Sequence, residues 1–291
     1  MTSTESVFST YVALMESGMR PDLPRLRMDV LAVAQSPGEL SDDARRFVAR
    51  SIVMACAHFW FQLDDRDCYQ ESALGLAVRL VRSLGSRATA ADRRLLMAAR
   101  EVGFGWIGPD PQRTDQESKL WLEEATALAS CDASPPSRWL LARASIFRGG
   151  SMIERGQVSD GLKLMRDGVS IASHLASLGG EWRHCYVIAL SELARKLHHL
   201  SEIGSRIYRL EAIGLYKLAI DLEDDCPASS RVEHLSMQWS NHASIASASI
   251  WPFSVKWRKM ASQLWHELEI EKAERMAEAE RTGRAEVNPV L

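Results

Sequence analysis

Apolar residues recur every three or four positions along almost the whole chain, with polar residues between them. That period keeps one side of a helix apolar, and no run of alternating β-branched residues competes with it. The pattern predicts helices over Val7–Ser17, Arg25–Ala34, Asp42–Leu63, Tyr69–Ser83, Ala90–Gly103, Gln116–Ser130, Ser137–Arg155, Ser159–Leu178, Arg183–Ile203, Arg206–Leu222, Arg231–Ile250 and Val255–Arg281. Proline and glycine mark the breaks: Pro21 and Pro24, Pro37-Gly38, Gly85, Gly108-Pro109-Asp110-Pro111, Pro135-Pro136, Gly179-Gly180, Pro227 and Pro252. Ser41, Thr89 and Ser159 stand where N-caps are needed. Short connections pair the helices into about six antiparallel hairpins, and with no long linker the chain reads as one all-α domain.

Gly149, Gly156, Gly161 and Gly168 fall inside or between two of these helices. Glycine weakens a helix interior by up to about 1 kcal/mol, so the cluster calls for a physical reason. Close helix–helix contact supplies one, because a Cβ would hold the two backbones apart.

The stretch from Ala142 to about Leu175 resembles a tetratricopeptide repeat, a helix-turn-helix unit of about 34 residues. Gly149, Gly161 and Gly168 take the family's small positions, Met152 and Met165 its bulky ones, and Gly156 the turn. A second, partial match covers about 205–222, with Ala212, Tyr216 and Ala219 as small, bulky and small. The resemblance implies an α-solenoid of about six hairpins. Its last apolar face would be covered by a charged capping helix over 255–281, followed by a tail over 282–291. In such arrays the first helix of each hairpin lines a concave groove. Carried onto this chain, the groove positions are Arg143, Ile146, Gly150, Ile153 and Glu154, with Arg138 beside them. Arg195, His198 and His199 of the following hairpin are expected on the same face.

Composition narrows the range of partners. The formal net charge of −3 provides no basic field, which argues against a nucleic-acid binder. Arginine outnumbers lysine heavily, as in a GC-rich bacterial coding sequence. Five scattered cysteines without CxxC spacing are expected as free thiols in a reducing compartment, hence a cytoplasmic protein. The first residues lack the basic and apolar regions of a signal peptide, and the longest uncharged stretch, Leu235–Val255, is too polar to cross a membrane.

Candidate chemistry is sparse. Asp64, Asp65 and Asp67 follow an apolar run and could hold Mg²⁺ against a diphosphate, as in all-α class I isoprenoid enzymes. Cys68 stands where that motif requires a carboxylate, and Glu223-Asp224-Asp225 misses the spacing as well. Glu181 and His184 form one ExxH, whereas a di-iron bundle needs two. Gly103-Phe104-Gly105-Trp106-Ile107-Gly108 spells a dinucleotide fingerprint but follows a helix and precedes prolines. The small-residue run Ser240–Ser249, flanked by Trp239 and Trp251, suits either close helix packing or a ligand lying on the helix.

No metal or cofactor is therefore expected. The expected function is a non-catalytic scaffold that binds a peptide or protein segment. A Mg²⁺-dependent enzyme using the Asp64 cluster and a structural subunit of a larger assembly are the alternatives.

Overall fold

The computed structural model describes residues 4–59, 71–104, 111–202, 206–223, 231–249 and 254–282. Among them run twelve helices and no strand: α1 (Thr4–Glu16), α2 (Leu23–Gln35), α3 (Asp42–Phe59), α4 (Glu71–Arg82), α5 (Ala90–Phe104), α6 (Pro111–Cys131), α7 (Pro135–Glu154), α8 (Val158–Ala176), α9 (Glu181–Glu202), α10 (Arg206–Glu223), α11 (Arg231–Ala248) and α12 (Ser254–Thr282). Each corresponds to a helix expected from the apolar period.

Polar side chains fix where several of them start. The Asp22 carboxylate accepts the Arg25 amide at 3.1 Å, with Pro24 in the first turn of α2. The Ser41 hydroxyl accepts the Ala44 amide at 3.1 Å ahead of α3. Before α5, Thr89 and Asp92 form a reciprocal capping box: the Thr89 amide donates to Asp92 at 2.8 Å, and the Asp92 amide donates to the Thr89 hydroxyl at 3.2 Å.

The chain's contacts cluster into two compact units that meet in sequence at the Gly108-Pro109-Asp110-Pro111 break. The first holds α1–α5, with short stretches at Ser130–Asp132 and from Ala277 onward. The second holds Pro111–Ala129 and Ala133–Met276, which is most of α6 and then α7 through most of α12.

In the first unit α3 is central, packing on α1, α4 and α5. Phe8, Leu26, Val30, Val48 and Ile52 are buried there. Polar ties lie on this apolar core. Tyr11 of α1 donates to Asp29 of α2 at 2.7 Å. Arg46 of α3 donates through Nε to both Asp92 oxygens at 3.1 Å, to Asp43 at 2.8 Å and to the Arg87 carbonyl at 3.1 Å. One guanidinium thus ties α3 to the capped start of α5, and Asp92 is only 5% exposed.

The second unit is built in sequence order. Each of α7 to α10 packs on the next helix, and α9 also packs on both α7 and α11. Ile146, Ile153, Leu162, Met165, Leu193, Leu197, Tyr216 and Ile245 belong to its main apolar cluster. The α7–α8 pair is the tightest part. A Cβ at Gly149 would stand 2.5 Å from the Gly161 carbonyl oxygen, and one at Gly161 would stand 2.6 Å from the Gly149 carbonyl. A Cβ at Gly168 would stand 2.7 Å from the Ala142 carbonyl. Gly156 turns the chain between the helices at φ +81°, a conformation that costs other residues strain. The four glycines therefore divide their work, three at backbone contacts and one at the turn.

Three outcomes follow for the first unit. Asp92→Asn leaves Arg46 without its buried counter-charge and weakens the cap, so urea unfolding should show a loss of about 2–4 kcal/mol. Removing the exposed Arg25–Asp29 pair with Arg25→Ala should cost under about 1 kcal/mol. The third outcome depends on pH. Burial, reinforced by the hydrogen bond to Asp29, raises the Tyr11 pKa well above the ordinary phenol value. The folded state then holds the proton more tightly than the unfolded state. The contribution is full below about pH 10, the ordinary tyrosine pKa, and is lost as the pH climbs beyond it. Tyr11→Phe should flatten that alkaline loss in a pH series of thermal melts.

Candidate interaction face

Helix α7 presents three rows of side chains, set apart by its 3.6-residue period. One row, Trp139, Arg143 and Phe147, holds a cation between two rings. The Arg143 guanidinium carbon lies 5.6 Å from the Trp139 ring centre and 5.0 Å from that of Phe147. Phe147 in turn packs on Trp121 of α6 at 5.0 Å. Cation–π contact with two rings restricts the orientation of the guanidinium.

A second row contains Gly150 and Glu154 and meets α9. A Cβ at Gly150 would be 3.2 Å from the Lys196 Cε, so the glycine makes room for the lysine stem to cross α7. The Lys196 ammonium then pairs with Glu154. The adjacent Arg195 is exposed and pairs with Glu192, and Glu154 and Tyr216 lie close enough to act on its charge. Opposite charges thus alternate across the α7–α9 seam.

The third row faces α8 and corrects the expected groove. Ile146 and Ile153 are 3% and 6% exposed. Their Cγ1 atoms pack where Cβ atoms of Gly168 and Gly161 would otherwise stand. They are core residues of the hairpin, turned by the helical phase away from solvent. A partner would not reach them.

The remaining expected positions are dispersed. Arg138 is exposed near the start of α7. His198 is half-buried on α9, and its carbonyl accepts the Ser201 hydroxyl at 2.6 Å. His199 is exposed, 3.5 Å from Glu202. Of the expected residues, the structure brings together Glu154 and Arg195, with Arg143 on the neighbouring row. Trp139, Phe147, Glu192 and Lys196 complete this face and were not expected from the sequence. Their signal would have been the register between α7 and α9, which the apolar period of each helix alone does not contain.

Behind the face, polar side chains bridge the helices. Ser191 of α9 donates to Asn241 of α11 at 3.0 Å, and His184 of α9 lies 3.4 Å from the buried Glu223 of α10. Ser244 of the small-residue run hydrogen-bonds Tyr216, and Ile245, Ala246 and Ala248 are buried, so this run serves helix packing. Trp239 packs on Trp265 of α12 at 4.7 Å. Trp251, Asp64, Asp65, Asp67, Asp224 and Asp225 lie outside the described residues. Among the described residues no group of three His, Cys, Asp or Glu side chains could hold a metal, and no helix is long and apolar enough to cross a membrane.

The side chains on this face offer charge and aromatic contacts and no covalent or metal chemistry among the described residues. Arg138 and Arg195 present exposed donors, and Glu154 and Glu192 supply the opposite sign. In comparisons with known proteins, no family model matches the chain, and neither a curated protein nor a solved structure matches it.

Proposed function

We propose that this chain is a non-catalytic interaction scaffold of the tetratricopeptide-like kind, binding a peptide or protein segment along the α7–α9 face. The observation that carries this reading is the packing order of the second unit. Sequential helices pair, and α9 also packs on α7 and α11, as stacked antiparallel hairpins require. The interlocked glycines of α7 and α8 fit the small positions of such a repeat. In a solenoid built this way, α7, α9 and α11 would form one continuous wall, with Arg143, Glu154 and Arg195 on it.

A groove of this type gains affinity from aromatic and arginine anchors and specificity from charge alternation. Arg138 and Arg195 would meet acidic positions of the segment, and Glu154 and Glu192 basic ones. Among the described residues, Cys56, Cys131 and Cys185 are not joined in disulfides, which fits a reducing, cytoplasmic setting.

Affinity capture from an extract of the source organism tests the proposal. Wild-type protein should retain a defined set of proteins. The exposed-site double variant Arg138→Glu/Arg195→Glu should lose them while keeping its thermal melt. Retention of the same set by both proteins, or of none by the wild type, would contradict the proposal.

A further inference from the structure

Helix α10 buries Ala212, Tyr216, Ala219 and Glu223 and turns its opposite side to solvent. On that side Ile207, Leu210 and Leu218 are 74%, 64% and 40% exposed. Gly214 lies four residues from each leucine, so a single ridge of the helix reads Leu210, Gly214, Leu218. A Cβ at Gly214 would meet nothing within 4 Å. Unlike the glycines of α7 and α8, it makes no close packing contact among the described residues, yet it weakens the helix that carries it. What it provides is a notch between two exposed leucines.

One flank of this ridge carries two lysines, and the exposed Asp221 lies one turn beyond Lys217. The ammoniums of Lys217 on α10 and Lys256 on α12 stand 5.8 and 5.6 Å from the ring centre of the same Trp257. Neither makes an ion pair with a carboxylate among the described residues. Lys256 also sits in the first turn of α12, where the helix dipole adds positive potential. The other flank is neutralised, because Glu211 of α10 accepts Arg166 of α8 at 2.8 and 3.1 Å. An apolar ridge with a pair of lysines along one edge is complementary to an apolar stripe with an acidic edge.

We propose that the outer face of α10 docks an acidic amphipathic helix from a partner protein. Its leucine-class side chains would pack around the Gly214 notch, as ridges enter grooves between helices. Its glutamates or aspartates would meet Lys217 and Lys256. This surface differs from the α7–α9 face, so it stands or falls independently of the function proposed above.

The test uses two labelled synthetic helical peptides, identical in their leucine stripe and flanked by glutamate in one and lysine in the other. In fluorescence anisotropy the glutamate peptide should bind the full-length protein, less tightly as salt rises. Leu210→Glu should abolish binding. Lys217→Glu/Lys256→Glu should weaken it about tenfold or more and give the lysine peptide measurable affinity. Ile207→Glu serves if Leu210→Glu alters the melt. Failure of the glutamate peptide to bind, or equal binding by all variants, would overturn the proposal. So would a wild-type dimer that Leu210→Glu dissolves and that excludes the peptide, since this face would then belong to a second copy of the chain.

Discussion

Backbone-to-backbone approach between α7 and α8 sets the geometry on which the second unit depends. Three glycines stand where a side chain would run into the facing helix's carbonyl groups. Ile153 and Ile146 fill the space beside them, and Met165 closes over Gly149. Burial of these side chains stabilises the pair, but the missing Cβ atoms decide how near it can close. Once α7 is held this way, its remaining rows are fixed in direction. The ring-clamped Arg143 and the Glu154 edge turn toward α6 and α9. The candidate face is thus a consequence of how closely this hairpin packs.

The first unit solves its packing differently. No glycine contact of that kind occurs among its described residues. Instead, part-buried polar ties join its helices, with Arg46 reaching the Asp92 cap and Tyr11 reaching Asp29. Such ties contribute less than apolar burial but tolerate little change, because removing one partner strands the other. One chain therefore uses two means of fixing helix order, steric in one unit and polar in the other.

Much of this was legible in the sequence. The apolar period located the helices, Thr89 with Asp92 wrote out a capping box, and the glycine cluster announced a close contact. Those signals are local, and each lies within a few residues of its effect. Relations between helices were less legible. Ile146 and Ile153 satisfy a groove pattern in sequence, but the phase of α7 is fixed by Gly161 and Gly168 on another helix, and this turns both isoleucines into the core. Lys196 gave no signal at all, since its role depends on a gap at Gly150, more than forty residues earlier. The exposed ridge of α10 was hidden for a related reason. Leu210 and Leu218 look like core residues until Ala212, Tyr216 and Ala219 are seen to take that place.

The central claim is that glycine at the α7–α8 contact is a steric requirement and not a tolerated weakness, and matched alanine substitutions test it most directly. Gly149→Ala and Gly161→Ala should each lower unfolding free energy by about 1–3 kcal/mol, the usual range for overpacking. Gly214→Ala, in open space on α10, should leave stability unchanged or raise it by up to about 1 kcal/mol through helix propensity. If the two α7–α8 variants instead unfold at or above the wild-type denaturant concentration, as Gly214→Ala should, the close contact is not what holds the hairpin and the account is contradicted.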